Sequence, residues 1–128
     1  MGRLFKRHFT VQSAQRQIPF LRRVFAALHR ARSDYLELDR RLGARAAELR
    51  ADLDGPEVIQ LVAAMFRMQE LLRSVERRGI LIKDVDRGLV DLPALRDGQE
   101  VFLCWELSDS EIAFWHPLDE GYAGRQPL

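Results

Sequence analysis

At Gly79 the spacing of the apolar residues changes period, and no single secondary structure serves both sides of the change. Before it, Val58, Leu61, Met65, Met68, Leu72 and Val75 recur in alternating steps of three and four, which is the repeat of one helix face. After it, Val101, Leu103, Trp105 and Leu107 alternate with Phe102, Cys104 and Glu106, the two-residue repeat of a strand. A chain built this way is helical first and sheet-forming second, which predicts an α+β fold.

The spacing predicts a helix over 56–78, ended by Gly79. A second apolar stripe, Ile59, Val62 and Phe66, lies about 100° around the same helix, so this helix needs two partners, the second being the C-terminal sheet or another copy of the chain. One is the preceding segment, where Leu21, Leu28, Tyr35, Leu42 and Leu49 fall seven residues apart and Val24, Ala31 and Leu38 follow the first three of them. That is a heptad seam of coiled-coil type. It frays at Arg45 and Asp52, and Gly43 weakens the helix by about 1 kcal/mol relative to Ala, so a bend or an early end is expected near Gly43. Thr10 is placed to cap a short helix over 11–17, and Pro19 suits the first turn of the next. Asp52-Leu53-Asp54-Gly55-Pro56 combines an acidic cap, a glycine and a helix-starting proline. The expectation is a long antiparallel helical hairpin, preceded by a short N-terminal helix and packed on a small antiparallel β-sheet.

Strands are expected over 80–83, 88–92, 100–107 and 111–116, with turns at Asp86-Arg87-Gly88, Asp97-Gly98 and Ser108-Asp109-Ser110. Both faces of the third are mostly apolar, so the sheet is expected to be covered on both sides. Trp105 and Trp115 are expected to meet on adjacent strands.

With 128 residues, 47% hydrophobic and 30% charged, the chain is expected to form one domain over 1–128, a hairpin over 10–79 and a β region over 80–128. No apolar run approaches the roughly 20 residues that span a bilayer, and the opening MGRLFKRHFT has no apolar core of signal-peptide type. Cys104 is the single cysteine, set in an apolar strand, which agrees with a reducing, cytoplasmic setting. Residues 1–53 carry 12 Arg and Lys against 5 Asp and Glu, and residues 54–128 carry 8 against 14. An acidic second half repels phosphate, which argues against nucleic acid as a partner.

The residues with chemistry are Asp84, Asp86, Asp91, Glu106, His116, Asp119, Glu120 and Arg125, most of them at expected strand ends. An imidazole with carboxylates makes a divalent-metal set of Asp84, Asp91, His116 and Glu120 conceivable. No compact ligand motif, paired CxxC or phosphate loop accompanies it. The competing structural reading is that His116 ends a strand and bonds a neighbouring acid while Asp84 and Asp91 cap turns. Arg125 can hold an anion through its fork of donors, or pin the C-terminal segment to Asp84 or Asp91 as an ion pair. Ser108 and Ser110 lie in a turn and Cys104 in an apolar strand, so nucleophilic catalysis has little to build on.

Four stretches carry a family resemblance: Phe9-Thr10 with IPFLR after it, KDVDRGLVDLPA from Lys83 to Ala94, VFLCWEL from Val101 to Leu107, and WHPLDEGYAGRQP from Trp115 to Pro127. On these the chain resembles an uncharacterised bacterial family, domain of unknown function 2203. The resemblance implies a helical N-terminal half and a compact C-terminal part, and no reaction. Ser13 and Gln15 depart from the family pattern, in which an acid and an asparagine are common, so a reciprocal Thr–Glu capping box is not expected. Leu92 stands where phenylalanine is usual. The function expected is that of a non-enzymatic binding or scaffolding protein, a homodimer associating through Ile59, Val62 and Phe66. The alternative is a metal-dependent hydrolase or small-molecule binder using the C-terminal Asp, His, Glu and Arg residues.

Overall fold

The computed structural model describes residues 2–45 and 55–128, and the architecture is α+β. Helices α1 (Val11–Gln15), α2 (Ile18–Arg45) and α3 (Pro56–Glu76) precede strands β1 (Leu81–Asp84), β2 (Leu89–Arg96), β3 (Gln99–Trp105), β4 (Phe114–Pro117) and β5 (Gln126–Pro127). The five strands form one antiparallel sheet in sequential order. Leu49 and the stretch from Asp52 to Asp54, expected to extend the heptad seam and supply an acidic cap, lie outside the described residues.

Local chemistry explains most boundaries. Thr10 caps α1 as expected, and a reciprocal box does close there, with Ser13 in place of glutamate: Ser13 N donates to Thr10 Oγ1 and Thr10 N to Ser13 Oγ, each at 2.9 Å. A serine at this position is short, but it reaches because the two residues are a single turn apart. Pro19 sits in the first turn of α2, and α2 runs through Gly43 to Arg45. Pro56 opens α3 behind Gly55, the N-cap residue. Gly79, with φ of 81°, turns the chain out of the helix and into the sheet. In the β2–β3 hairpin Asp97 and Gly98 both take positive φ, 51° and 80°, the backbone that a two-residue turn matched to strand twist demands.

Helices cover one face of the sheet. Leu21, Val24, Phe25 and Leu28 of α2 and Val75 of α3 bury against Val90, Leu92, Ala94, Val101, Leu103 and Trp105, the inward residues of β2 and β3 by strand alternation. Pro93 lies in the middle of β2 without breaking it. Its carbonyl accepts from Phe9 N at 2.7 Å on the edge away from β3, and the nitrogen of the same residue points to that edge too, where β1 has already ended.

This core takes in α2 only as far as Leu28, and α3 only from Met68 onward. Among the described residues, the far halves of both helices therefore form a two-helix arm whose apolar contacts lie outside this core. Leu38 is buried between them, but Ile59, Val62, Met65 and Phe66 are exposed by 61, 42, 44 and 63%, and Leu36 by 55%. The outer stripe of α3 has no partner in the sheet.

One strand expectation is corrected. The fourth strand starts at Phe114 rather than Glu111, because Ile112 is drawn into the core and its N–H donates to Gln15 Oε1 at 2.9 Å. Trp105 and Trp115 do lie on adjacent antiparallel strands, β3 and β4, with Trp115 opposite Leu103 and under the Arg96 guanidinium, 4.6 Å from the ring centroid. The indole of Trp105 is fully buried, donates to Asp109 O at 3.1 Å, and carries the Arg22 guanidinium 5.3 Å from its centroid.

Candidate functional site

The sheet face turned away from the helices is buried as well, and it carries the polar residues. Alternation places Asp91 of β2, Phe102 and Cys104 of β3, and His116 of β4 on this side. Register brings them together: Asp91 is opposite Cys104, and Phe102 is opposite His116. Asp91, Cys104 and His116 are 3, 1 and 1% exposed, and their potential ligand atoms all lie within 4.8 Å of one another.

His116 is held at both nitrogens. Nε2 meets Asp91 Oδ1 at 2.9 Å and Nδ1 meets the carbonyl oxygen of Pro117 at 2.9 Å. A carbonyl only accepts, so Nδ1 carries a proton. The Nε2–Oδ1 contact then holds a second proton, on imidazolium facing carboxylate or on a carboxyl facing neutral imidazole. The pair is neutral in either form, which is how two such groups tolerate burial. Burial pushes the Asp91 carboxyl above its usual range against the opposing pull of His116, Lys83 and Cys104. Burial also pushes the Cys104 thiol up to about 11. Both imidazole nitrogens are engaged by oxygen atoms in this arrangement, so His116 is not poised as a base towards the Cys104 thiol.

A cavity of about 450 Å³ lies along the arm between α2 and α3, but it gathers no imidazole or thiol. One of about 210 Å³ adjoins the buried cluster, lined by Lys83, Asp91, Phe102, Cys104, Glu120 and Tyr122 among others. The C-terminal segment roofs this region. Tyr122 OH donates to Glu106 Oε1 at 3.3 Å, and its ring lies between the guanidinium groups of Arg87 and Arg125, 4.1 and 4.5 Å from the centroid. Glu106, 8% exposed, also takes Arg87 at 2.5 Å and the Ser108 hydroxyl at 3.1 Å.

Of the residues considered for a metal, Asp91 and His116 converge. Asp84 does not join them; its Oδ1 accepts from Arg87 N at 3.1 Å, shaping the β1–β2 turn. Glu120 lines the cavity from the exposed loop after β4. Cys104 stands where those two were expected, and only the strand register could have revealed it. Arg125 does form an ion pair, but with Asp109 rather than Asp84 or Asp91: its two terminal nitrogens reach Oδ2 and Oδ1 at 3.0 and 3.2 Å. Burial opposes the Arg125 charge, and the bonds to Asp109 and Cys104 outweigh it, raising its pKa. Asp86 pairs with Arg32 of α2, and Asp119 is exposed. The two other histidines join the halves of the fold: His8 meets Glu100 at 3.0 Å, and His29 Nε2 donates to Val85 O at 2.7 Å.

No helix among the described residues is long and apolar enough to cross a membrane. Neither a curated protein nor a solved structure matches the chain. A family model described as an uncharacterized conserved protein, DUF2203, matches residues 7–128, so that the helical arm, the two-sided sheet and its C-terminal roof all fall within one match, and the chain belongs to that family.

Proposed function

We propose that the protein is a non-enzymatic scaffold that works as a cytoplasmic homodimer joined through the outer face of α3. The exposure of Ile59, Val62 and Phe66 on an arm beyond the core carries this reading. Two helices with no third layer are marginal in water, whereas two arms laid together make a four-helix bundle. A second copy suits the stripe because a two-fold axis near Val62 and Ala63 sets Ile59 of each chain over Phe66 of the other across about 10 Å of helix. The opposite charge of the two halves of the chain adds orientation within the roughly 8 Å reach of charges at physiological salt. Phe66→Asp is the test: light scattering should fall from dimer to monomer mass, or the protein should aggregate, and an unchanged dimer mass removes this face as the interface.

A second reading, a small-molecule binder or metal-dependent hydrolase, is favoured by one observation, the cavity of about 210 Å³ beside Asp91 and Cys104.

A further inference from the structure

We propose that Asp91, Cys104 and His116 form a binding site for a zinc-type divalent transition metal on the face of the sheet away from the helices. One carboxylate, one thiolate and one imidazole are donors of the kind zinc takes. They come from three adjacent strands, β2, β3 and β4, and side chains on hydrogen-bonded strands are held more firmly than side chains on loops.

Two features beyond proximity point the same way. The first is the orientation of His116. Its Nδ1–H is committed to the Pro117 carbonyl at 2.9 Å, and Nε2 is turned towards Asp91 and Cys104. A backbone carbonyl on the outer nitrogen is the arrangement that fixes a metal-binding imidazole, leaving the inner lone pair for the ion. The second is the position of Arg125, whose Nη1 lies 3.9 Å from Cys104 Sγ while Asp109 balances its charge. An N–H aimed at sulfur supports a thiolate, and the ion pair keeps the guanidinium from presenting a bare positive charge to the metal.

The charges balance. A divalent cation with one carboxylate, one thiolate and a neutral imidazole sums to zero, which a buried site tolerates. Two protons leave on binding, one from the Cys104 thiol and one from the Asp91–His116 contact, since the donors must be deprotonated. Tetrahedral zinc, with bonds of about 2.0–2.3 Å, sets its donors roughly 3.3–3.8 Å apart. A cluster within 4.8 Å closes to that by side-chain movements of about 1 Å, with the strands in place. The cavity that Asp91 and Cys104 share with Lys83 and Glu120 leaves the fourth position to water or to a ligand. This inference rests on the second functional reading and is independent of self-association. Metal loading is measured without any substrate, so a loaded protein that hydrolyses nothing would leave the site intact and sink only the hydrolase.

The test is to purify the full chain without chelators, measure its metal content, and titrate the metal-free protein with Co²⁺ followed by Zn²⁺ competition. The expected result is one equivalent of Co²⁺ with a thiolate-to-cobalt charge-transfer band, displaced by Zn²⁺. Cys104→Ser should abolish the band and weaken Zn²⁺ at least tenfold, whereas Asp84→Asn should change neither. Substoichiometric binding by the wild-type chain, a cobalt spectrum without the thiolate band, or full affinity in Cys104→Ser would each overturn the assignment. The wild-type spectrum decides the matter even if the variant fails to fold.

Discussion

His116 Nε2 and Asp91 Oδ1 stand 2.9 Å apart across the buried far face of the sheet, with the other imidazole nitrogen tied to the Pro117 carbonyl. This contact holds a proton under a roof of C-terminal residues, and it makes the stability of the fold sensitive to pH.

The folded-state pKa of Asp91 is raised above its ordinary 3.8, chiefly by burial. A raised value means that the folded chain holds this proton more tightly than the unfolded chain. The resulting stability is complete below the ordinary value and is lost as pH rises through the raised one, with a slope of at most about 1.4 kcal/mol per unit. Asp91→Asn should flatten that dependence at little cost, since an amide N–H can still donate to Nε2. Asp91→Ala should cost about 1–3 kcal/mol by stranding the imidazole. Urea melts of the metal-free protein at several pH values distinguish the three chains.

Gly88 has φ of 62°, and a Cβ built there would lie 2.4 Å from Leu107 Cγ. Gly88→Ala should destabilise by about 3 kcal/mol, from backbone strain and overlap together. Adding Leu107→Ala should recover part of this loss by removing the overlap and leaving the strain. A double-mutant cycle in denaturant reads the coupling directly.

Glu100 collects His8 Nε2 at 3.0 Å, Leu4 N at 2.7 Å and Phe5 N at 3.0 Å. Burial opposes its charge, and these bonds outweigh burial, so its pKa falls below the ordinary 4.5. The sign is opposite to that of Asp91: the contribution is present above 4.5 and is lost as pH falls through the depressed value. The protection of the Leu4 and Phe5 amides, their exchange measured against the intrinsic rate at each pH, should fall on acidification through that range. In Glu100→Gln the protection should already be low at neutral pH and should lack this step.

The two-pronged pairing of Arg125 with Asp109, with Phe114 beneath the guanidinium at 3.9 Å, holds the C-terminal segment down. Asp109→Asn should expose the bond after Arg125 to trypsin several-fold faster, with a loss of about 1–3 kcal/mol from this charged hydrogen-bonded pair. A cleavage rate equal to that of the wild-type chain would show that the segment is held by other contacts.

Elements with many repeats of one period were legible from the sequence. Six apolar positions in unbroken steps announced α3, and Asp97-Gly98 announced its hairpin because those two residues tolerate positive φ. Cys104 was not legible as part of the polar cluster, because a small thiol in an apolar strand reads as core filling. It meets Asp91 and His116 only through a register set by two separate loops. Phe9 and β5 were missed for lack of length, since one bridging residue and a two-residue strand carry no period. The start of β4 was misread because Ile112 looks like a strand residue but serves the core.

The flanks of the sheet set the direction in which the molecule can grow. β5 is two residues long and ends in Pro127, while β1 is four residues long with an irregularity between Ile82 and Asp84. Neither offers the long, flat run of unpaired amides that templates a foreign strand. Fibril-like stacking, strand added to strand, is therefore discouraged at both borders of the sheet.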